Sequence, residues 1–586
     1  MLRLLIRFLL LLFVLSACTA PVAQAPTNPA ATATTSATPA AATVAPAPSP
    51  TSDPRLPTAP PRITPGPTAA PAPIAAGWWD GSVCYEIFVR SFYDSDGDGI
   101  GDLNGVIEKL DYVNDGDTNS RRDLGADCIW LMPIAESTSY HGYDVTDYYT
   151  VEADYGTNED FKRLVAEAEQ RGIKIIIDLV LNHTSVEHPW FQQALGDPKS
   201  PYRDWYLWSE IRPNYRGPFN NEVWHQSPLG DEFYYGLFWS GMPDLNYRNP
   251  AVTEFAEEVS RFWVEEMGAA GFRLDAIKHL IEYQAAQSDT AETHNWLREY
   301  RQFLERDLPG TFTVGEIFDG GPRTLPNYYP DQLDFYFEFE IARNTRGAAD
   351  LGLGRGYLDA VTAAMETLPF QRFSPFLTNH DQNRVMSELD DDIDKAKLAA
   401  LALLTLPGMP FVYYGEEIGM LGVKPDERIR TPMQWTSEGG GGFTSGEPWQ
   451  ALQEDYVVKH VAQQDEDPNS LLNTYRELIH LHRATAALAT GDFVALESDN
   501  SSVAAFIRRT GDEAVLVLIN FEDAPAATPL LSSAGSGLSA GAYTLRPLYG
   551  EATAEILTVG DAGAITDYTP LAEIPARTGY IFGLTR

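Results

Sequence analysis

Carboxylate side chains stand at the ends of several short apolar runs in this sequence. Asp275 and Glu316 each end such a run, and Asp381 follows another. Hydrolysis of a glycosidic bond with retained configuration needs a carboxylate that attacks the anomeric carbon and a protonated carboxyl, about 5 Å away, that releases the leaving oxygen. We therefore predict that Asp275 is the nucleophile and Glu316 the proton donor. Asp381 would raise the pKa of Glu316 by like-charge repulsion and would stabilise the oxocarbenium-like transition state.

Other polar side chains accompany these acids. Arg273 precedes Asp275 by two positions, so on a strand both side chains lie on one face, and the guanidinium can hold the carboxylate ionised and aimed. His183 and His380 also follow predicted strands. Taken singly, a polar residue at a strand end is more often a helix cap. The prediction of a catalytic site therefore depends on the convergence of the whole set.

The elements that must position these residues are short β-rich runs that alternate with amphipathic helices from Gly77 onward. This alternation is typical of a parallel sheet covered by helices. The predicted strands are Val83–Val89, Cys128–Met132, Ile173–Asp178, Phe272–Asp275, Thr313–Glu316, Leu333–Tyr336, Ser374–Thr378 and Phe411–Tyr414. Eight such units predict an α/β fold, a (β/α)8 TIM barrel, in which the carboxyl ends of the strands carry the active site.

The folded part of the chain divides into a barrel and two smaller parts. The predicted barrel spans 77–486, and its surplus stretch 184–249, rich in Trp, Tyr, Pro and Gly, predicts an inserted subdomain after the third strand. Farther on, strands such as Ser502–Arg508 and Ala514–Asn520 alternate with turn residues. This pattern predicts a C-terminal antiparallel β-sandwich over 487–586.

In their order along the chain, these polar residues resemble the α-amylase family of glycoside hydrolases, over roughly Gly77 to Arg586. The stretches that carry the resemblance are Asp178–His183, Gly271–His279, Val314–Glu316 and Phe376–Asp381. The resemblance implies three catalytic roles, those of the nucleophile Asp275, the acid and base Glu316 and the stabiliser Asp381. It also implies that three further side chains bind the sugar in the cleavage subsite, namely His183, Arg273 and His380.

Several positions bear on the subgroup within this family. Met242–Asn246 resembles a form found in members intermediate between the oligo-1,6-glucosidase and neopullulanase groups, which leaves the specificity open. Tyr140 stands where many exo-acting α-glucosidases carry an Asp that grips the non-reducing end. Tyr143 is expected to stack on a sugar ring, and the pair Lys278 and His279 resembles an amylase pair that contacts sugars on the leaving-group side. For Lys278 the alternative is a solvated helix charge.

These features favour internal cleavage of α-1,4 bonds in starch or maltodextrin through a covalent glycosyl-enzyme intermediate. The alternatives are an exo-acting α-glucosidase or oligo-1,6-glucosidase, a cyclodextrin- or pullulan-degrading enzyme, and a non-catalytic carbohydrate-binding relative. The last class usually lacks part of the acid trio, which is complete here.

A glycine-bent loop carries oxygen ligands at alternate positions, which suits a hard cation such as Ca²⁺. The candidate ligands are Asp94, Asp96, Asp98, the carbonyl of Ile100 and Asp102. The loop resembles a calcium loop that follows the first strand in several members of the family, and the alternative is a cluster of acids that cap turns. Asn182 and the carbonyl of His279 resemble ligands of a second calcium in other amylases.

Composition limits the partners. The 586 residues carry 82 acidic and 42 basic side chains, a formal net charge of -40, which argues against binding to nucleic acid or to an anionic membrane surface. A neutral α-glucan fits better. Cys84 and Cys128 both stand in apolar runs, and we expect buried free thiols there rather than a disulfide.

The N-terminus reads as a processing signal. Arg3 and Arg7 precede the short apolar stretch Phe8–Leu15, and the residues up to Cys18 resemble a bacterial lipobox. We therefore predict a lipoprotein signal peptide over 1–18, lipidation of Cys18 and an extended Ala-, Pro- and Thr-rich tether over 19–76. The protein would be extracellular, anchored to the cell surface and in contact with a membrane only through the lipid. The alternative is an ordinary secretory signal.

Overall fold

The computed structural model describes residues 77–511 and 513–586. The signal peptide, the lipidated Cys18 and the tether, all predicted within 1–76, lie outside the described residues. The strands are β1 (Cys84–Ile87), β2 (Cys128–Leu131), β3 (Ala135–Ser137), β4 (Val145–Val151), β5 (Lys174–Leu179), β6 (Trp208–Ser209), β7 (Trp224–Gln226), β8 (Phe233–Tyr235), β9 (Gly271–Leu274), β10 (Phe312–Gly315), β11 (Phe335–Tyr336), β12 (Phe411–Tyr413), β13 (Asp492–Ser498), β14 (Val503–Thr510), β15 (Glu513–Asn520), β16 (Ala526–Ala527), β17 (Leu531–Ser533), β18 (Gly541–Tyr549), β19 (Leu557–Val559), β20 (Ile565–Tyr568), β21 (Glu573–Ile574) and β22 (Thr578–Thr585).

The α-helices are α1 (Val89–Phe92), α2 (Leu103–Glu108), α3 (Leu110–Val113), α4 (Asn158–Gln170), α5 (Pro189–Gly196), α6 (Pro250–Arg261), α7 (Ala291–Asp307), α8 (Phe339–Leu351), α9 (Gly354–Thr367), α10 (Val385–Glu388), α11 (Ile393–Leu404), α12 (Asp426–Ile429), α13 (Val461–Glu466), α14 (Leu471–Ala484) and α15 (Ala486–Thr490). Within the described ranges, none of the helices combines the length and the apolar character that crossing a membrane requires.

Seven strands form one parallel sheet, in the order β11, β10, β9, β5, β2, β1, β12. The gap between β11 and β12 is closed by parallel bridges from Phe337 to Ser374 and from Phe376 to Phe411. The predicted eighth strand is therefore present only as these bridges, because Pro375 has no N–H to donate to a ladder. The predicted (β/α)8 barrel is confirmed.

Alternation along each barrel strand separates the barrel interior from the helix layer. In β2, Cys128 and Trp130 belong to an interior cluster, whereas Ile129 and Leu131 pack in the larger core that includes the surrounding helices. Both faces of a strand are thus buried, which is why the strands read as continuous apolar runs. Because both faces of the strands are apolar, the polar side chains of the site lie at the strand ends.

The helix α4 shows how the sequence sets the ends of one unit. Thr157 caps its N-terminus and accepts a hydrogen bond from the backbone N–H of Asp160, whose side chain bonds back to Thr157. Gly172 follows the helix with φ 77°, in the left-handed region that favours glycine. The chain then enters β5, which carries Asp178 to the site.

Cys84 and Cys128 form a disulfide. They are register partners on the neighbouring strands β1 and β2, with Cα atoms 4.3 Å apart, and both are buried in the barrel interior. The prediction of two free thiols is wrong because 44 residues separate them in sequence, and only the strand register shows that they meet.

The stretch predicted as an inserted subdomain contains α5 and a three-stranded antiparallel sheet in the order β6, β8, β7. Both ends of this stretch return to the same place on the barrel, because His183 pairs with Asp244 in an antiparallel bridge. The insertion therefore stands beside the carboxyl end of β5.

The C-terminal strands form an antiparallel eight-stranded sheet in the order β19, β18, β22, β15, β14, β13, β17, β20, with a separate pair of β16 and β21. The two strands predicted there correspond to β14 and β15. Alternate residues of β14 face two cores: Ala505 and Ile507 lie in the core of the C-terminal domain, while Ala504 and Phe506 pack in the barrel core. The predicted antiparallel domain is confirmed.

Candidate active site

A cleft of about 570 Å³ lies at the carboxyl ends of the barrel strands. It brings together seven of the predicted site residues, Tyr143, His183, Asp275, Lys278, His279, Glu316 and Asp381. Two more, Arg273 and His380, are fully buried and contact the carboxylates of this cleft. The convergence that the strand pattern predicts is therefore present.

Arg273 is the centre of the carboxylate cluster. Its Nη1 lies 2.7 Å from Asp275 Oδ1 and 2.9 Å from Asp178 Oδ2, and its Nη2 lies 2.9 Å from Glu316 Oε2. One buried cation thus faces three carboxyl groups. Full ionisation of all three would leave an uncompensated negative charge in a buried site, which favours a proton on one of them.

Asp275 and Glu316 follow neighbouring strands at the same level, because Leu274 and Gly315 are register partners in β9 and β10. Neighbouring strands lie about 4.8 Å apart. This spacing fits the separation of about 5 Å that a retaining pair of carboxyl groups needs.

Two carboxyl groups of the cluster have a raised pKa, Glu316 and Asp178, and burial raises the pKa of Asp178 to about 7. For Glu316, burial raises the pKa most, and the charges of Asp275 and Asp381 raise it further, against the opposing charge of Arg273. The predicted repulsion by Asp381 is present, but it ranks behind burial and behind Asp275. The backbone N–H of Ala276, a residue held at φ 49°, points at Glu316 Oε2 over 3.3 Å.

Asp381 is held ionised by two basic side chains. Its Oδ1 lies 2.8 Å from Arg430 Nη2 and its Oδ2 lies 3.3 Å from His380 Nε2. Burial alone would raise the pKa of Asp381, but the charges of His380 and Arg430 lower it below its usual range. Asp381 is thus a carboxylate, as a stabiliser of positive charge must be.

His380 is charged because acids flank it on both sides. Burial lowers its pKa, but Asp381 and Glu86, whose Oε1 lies 2.6 Å from Nδ1, together raise it to about 9. Tyr143 stacks on the His380 ring with centroids 5.6 Å apart, and its hydroxyl lies 2.6 Å from His380 Nε2. The tyrosine hydroxyl also donates to Asp178 Oδ2 over 3.1 Å, so its ring has a fixed place in the cleft.

The remaining predicted residues have distinct surroundings. His183 is buried, its pKa is lowered by that burial, and its Nε2 lies 3.2 Å from the carbonyl oxygen of Tyr143. His279 is also buried, which lowers its pKa to about 4, so both imidazoles are neutral near pH 7. Lys278 lies in a 3-10 turn and donates from Nζ to the carbonyl oxygen of Phe318 over 2.9 Å. It is a residue of the cleft rather than a solvated helix charge.

Sequence reasoning missed two groups of cleft residues. The first is an aromatic wall formed by Phe219, Phe238, Trp239 and Phe318, three of which expose about half of their surface: 52% for Phe219, 51% for Trp239 and 41% for Phe318. The only signal for Phe219, Phe238 and Trp239 was the high aromatic content of the insertion, and Phe318, which follows β10, had none. The second is a polar rim of Lys424, Asp426 and Arg430. Arg430 contacts Asp381, which stands 49 positions earlier in the sequence, and no local motif marks the rim.

The loop after β1 holds the candidate metal ligands. The carboxylates of Asp94, Asp96 and Asp102 offer oxygen atoms within 4.8 Å of one another. Asp98 is not in this group, and its Oδ1 instead accepts a hydrogen bond from the N–H of Ile100 over 2.8 Å. Backbone N–H groups in and beside the same loop donate to Asp94 and Asp102, as in a cluster of acids that cap turns. The three carboxylates also supply the oxygen ligands that a hard cation prefers. We call the residues 94–102 the acidic loop.

Comparisons with known proteins agree with this geometry. The family model for the alpha-amylase catalytic domain matches residues 86–491. Alpha-amylase 3 of Dictyoglomus thermophilum is 40% identical over 459 residues, 76% of this chain and 85% of that protein, and the oligo-1,6-glucosidase of Parageobacillus thermoglucosidasius is 31% identical over 522 residues, 76% and 91% of the two chains. The crystal structure of the alpha-amylase from H. orenii superimposes with a TM-score of 0.75 and 40% identity, covering 86% of this chain and 100% of that one.

Proposed function

We propose, on the premise that this chain belongs to the α-amylase family of glycoside hydrolases and is an enzyme acting on glycosidic bonds, that it cleaves internal α-1,4 bonds of starch-type glucans with retention of configuration. The observation that carries the proposal is the single buried guanidinium of Arg273, which contacts both Asp275 and Glu316. A retaining mechanism needs two carboxyl groups on neighbouring strand ends, one that attacks and one that donates a proton, and the raised pKa of Glu316 suits it to the second task.

Each residue then has a defined task. Asp275 attacks the anomeric carbon while Glu316 protonates the leaving oxygen, and Glu316 afterwards takes the proton of the water that attacks the glycosyl-enzyme. Asp381, ionised through His380 and Arg430, stabilises the positive charge of the transition state. Tyr143, Arg273 and His183 shape the subsite where the bond breaks.

Internal cleavage is favoured by the residue at position 140. An acid that gripped a non-reducing end would stop the chain there, whereas Tyr140 offers a ring face, which contacts a passing sugar without ending the cleft. The second candidate is exo-acting cleavage, including α-1,6 bonds, because a relative named oligo-1,6-glucosidase covers most of the chain.

A maltoheptaoside blocked at its non-reducing end separates these two functions. We expect the enzyme to cut this substrate at internal bonds, and Asp275→Asn to abolish the cleavage. Failure to cut the blocked substrate, together with release of glucose from the unblocked one, would establish exo action instead. Release of α-anomeric product, followed by NMR during the first turnover times, tests retention.

Calcium is the cation proposed for the acidic loop, where Asp94, Asp96 and Asp102 would hold it. It would supply positive charge that offsets the repulsion between three close carboxylates. A second calcium at Asn182 has one supporting observation, since Asn182 Oδ1 is buried and finds no hydrogen-bond partner within the described residues. Metal analysis of the purified chain after dialysis without chelator tests both sites.

The protein is proposed to be a lipoprotein of the cell surface, anchored through Cys18 and separated from the membrane by the 19–76 tether. The Cys84–Cys128 disulfide supports export, because such bonds persist mainly in oxidising compartments. Metabolic labelling with a fatty acid is expected to mark the wild type and not Cys18→Ser. Labelling of neither protein would leave an ordinary secretory signal as the explanation.

A further inference from the structure

A buried acid lies beneath the cleft, on the barrel strand β1. Glu86 is 2% exposed and does not belong to the lining of the cleft. Its Oε1 lies 2.6 Å from Nδ1 of His380, the buried imidazole that contacts Asp381. Within residues 77–511 and 513–586, the ion pairs of Glu86 are limited to this one. Glu86 therefore reaches the cleft through His380.

Both ring nitrogens of His380 face acceptors. Nδ1 faces Glu86, while Nε2 lies 2.6 Å from the hydroxyl oxygen of Tyr143 and 3.3 Å from Asp381 Oδ2. With a hydrogen on Nδ1 alone, Nε2 would turn a lone pair towards Asp381, and with a hydrogen on Nε2 alone, Nδ1 would turn a lone pair towards Glu86. The charged imidazole carries a hydrogen on each nitrogen and is the form that satisfies all of these contacts.

The charged imidazole also gives the hydrogen bonds below the cleft a single direction. His380 Nε2–H donates to the hydroxyl oxygen of Tyr143, so the hydroxyl hydrogen is left for Asp178 Oδ2, 3.1 Å away. Asp178 in turn shares Nη1 of Arg273 with the proposed nucleophile Asp275. A row of contacts thus runs from β1 to the nucleophile.

The surroundings leave the charge of His380 dependent on its two flanking acids. Burial lowers the pKa of His380, and Asp381 and Glu86 together raise it to about 9. The other charged groups that lie near His380 are Asp178, Glu316 and Arg430. Arg273 already contacts the two carboxyl groups of this set, and the guanidinium of Arg430 opposes a positive charge on the imidazole.

Glu86 itself faces two groups from the neighbouring strand β12 and the residues that follow it, Tyr413 and Glu416. Burial raises the pKa of Tyr413, and it raises the pKa of Glu416 to about 8, so both groups are largely uncharged near pH 7. The charge of Glu86 is therefore directed to His380.

We propose that Glu86 is a positioning residue of the active site, which keeps a charged donor fixed beside Asp381 and Tyr143 through its contact with His380. The inference rests on the proposed function, because it gives a residue outside the cleft a task in that reaction. While the imidazole is charged, Asp381 stays ionised and Tyr143 keeps its place in the cleft. Without the charge of Glu86 the imidazole turns neutral, and Asp381 loses a neighbouring positive charge although its contact with Arg430 remains.

Glu86→Gln tests the charge of His380 directly. The variant keeps the shape of the side chain, and its amide can still donate to an unprotonated Nδ1. Carbon-13 labelling of the 10 histidines at Cε1, with His380→Gln for assignment, follows the titration by NMR. In the wild type, His380 is expected to stay charged up to about pH 9. In Glu86→Gln it is expected to lose its proton at a clearly lower pH, and an unchanged titration would overturn the proposal.

Kinetics on maltooligosaccharides test the task in catalysis. In Glu86→Gln, kcat is expected to fall about tenfold with a smaller change in KM, because the charge acts mainly on the transition state. The acid limb of kcat/KM is expected to move to higher pH, since the pKa of Asp381 rises when the His380 charge is lost. Glu86→Asp keeps a carboxylate and is expected to restore most of kcat. A fall of kcat in Glu86→Gln while His380 remains charged would leave Glu86 with a packing role only.

The matched control is Glu417→Gln. It changes another fully buried carboxyl group, which accepts hydrogen bonds from Tyr85 and Tyr112. This variant is expected to keep both the titration of His380 and the acid limb of the wild type. Equal effects in Glu86→Gln and Glu417→Gln would contradict a specific task of Glu86. Absence of hydrolysis by the wild type would instead contradict the proposed function, while the titration of His380 would still test its contact with Glu86.

Discussion

Arg430 donates a hydrogen bond from Nη2 to Oδ1 of Asp381 over 2.8 Å. Its guanidinium is almost fully buried, and its Nε donates to the carbonyl oxygen of His380 over 2.9 Å. Asp381, by contrast, leaves 38% of its side chain exposed towards the cleft. A buried cation thus fixes both the charge and the direction of an acid that faces the substrate.

Arg430→Gln is expected to lower kcat by about 100-fold with a smaller change in KM, because stabilisation of the transition state is lost more than ground-state binding. The pKa of Asp381 should rise when the Arg430 charge is removed. The acid limb of the kcat/KM profile is therefore expected to move to higher pH. Arg428→Gln changes an exposed arginine of α12, the short helix that Arg430 follows; it is the control and should leave the profile unchanged. An unmoved acid limb in Arg430→Gln would show that Arg430 has only a structural role.

Glu316→Gln is expected to separate the two chemical steps. Loss of the proton donor should reduce hydrolysis of maltooligosaccharides by roughly 10³-fold or more, because their leaving oxygen needs a proton. A maltosyl fluoride needs no such proton, and its cleavage should fall far less. Stopped-flow release of fluoride measures this difference. Equal losses on the two substrates would assign the proton transfer to another residue.

Phe318→Ala tests the aromatic wall. Phe318 accepts the Lys278 hydrogen bond through its carbonyl oxygen, and its ring meets Phe219 edge-on at 6.4 Å. We expect KM to rise several-fold for substrates that extend on the leaving-group side and to stay constant for aryl maltosides. Phe370→Ala is the control, since Phe370 is exposed to 56% and lies away from the cleft. A change of KM of the same size in Phe318→Ala and Phe370→Ala would show that the aromatic wall does not bind the substrate.

Site residues at the ends of barrel strands could be predicted from the sequence. Site residues that only tertiary packing brings to the cleft could not. Asp275 and Glu316 were predictable because a barrel places the ends of neighbouring strands side by side. Arg430 and the aromatic wall lie on loops and in the insertion, where no periodicity sets the position of a side chain. The disulfide was missed for a related reason, because the pairing of Cys84 with Cys128 depends on the strand register.

Removal of the disulfide is expected to lower stability without changing the cleft. Cys84→Ala/Cys128→Ala releases a loop of 44 residues, for which loop-closure entropy suggests about 4 kcal/mol of lost unfolding free energy. Peptide mapping without reductant should first recover the two cysteines in one cross-linked peptide. Denaturant unfolding should then respond to reductant in the wild type and not in the double variant. Equal unfolding of the wild type with and without reductant would contradict the stabilising role.

Glu416 is a buried carboxyl group that makes stability depend on pH. Burial raises its pKa to about 8 from an ordinary 4.5, while Tyr475 donates to its Oε1 over 2.7 Å. The folded protein thus holds the proton more tightly than the unfolded chain, and this contribution is full below about pH 4.5 and lost as the pH rises through about 8.

Glu416→Gln keeps the shape of the side chain and removes this titration. We expect the wild type to lose thermal stability relative to Glu416→Gln as the pH rises from about 4.5 to about 8, which paired melting curves would measure. Glu438→Gln, at an exposed position, is the control and should follow the wild type at every pH. A difference in melting temperature between wild type and Glu416→Gln that stays constant over this range would mean that Glu416 does not take up a proton on folding.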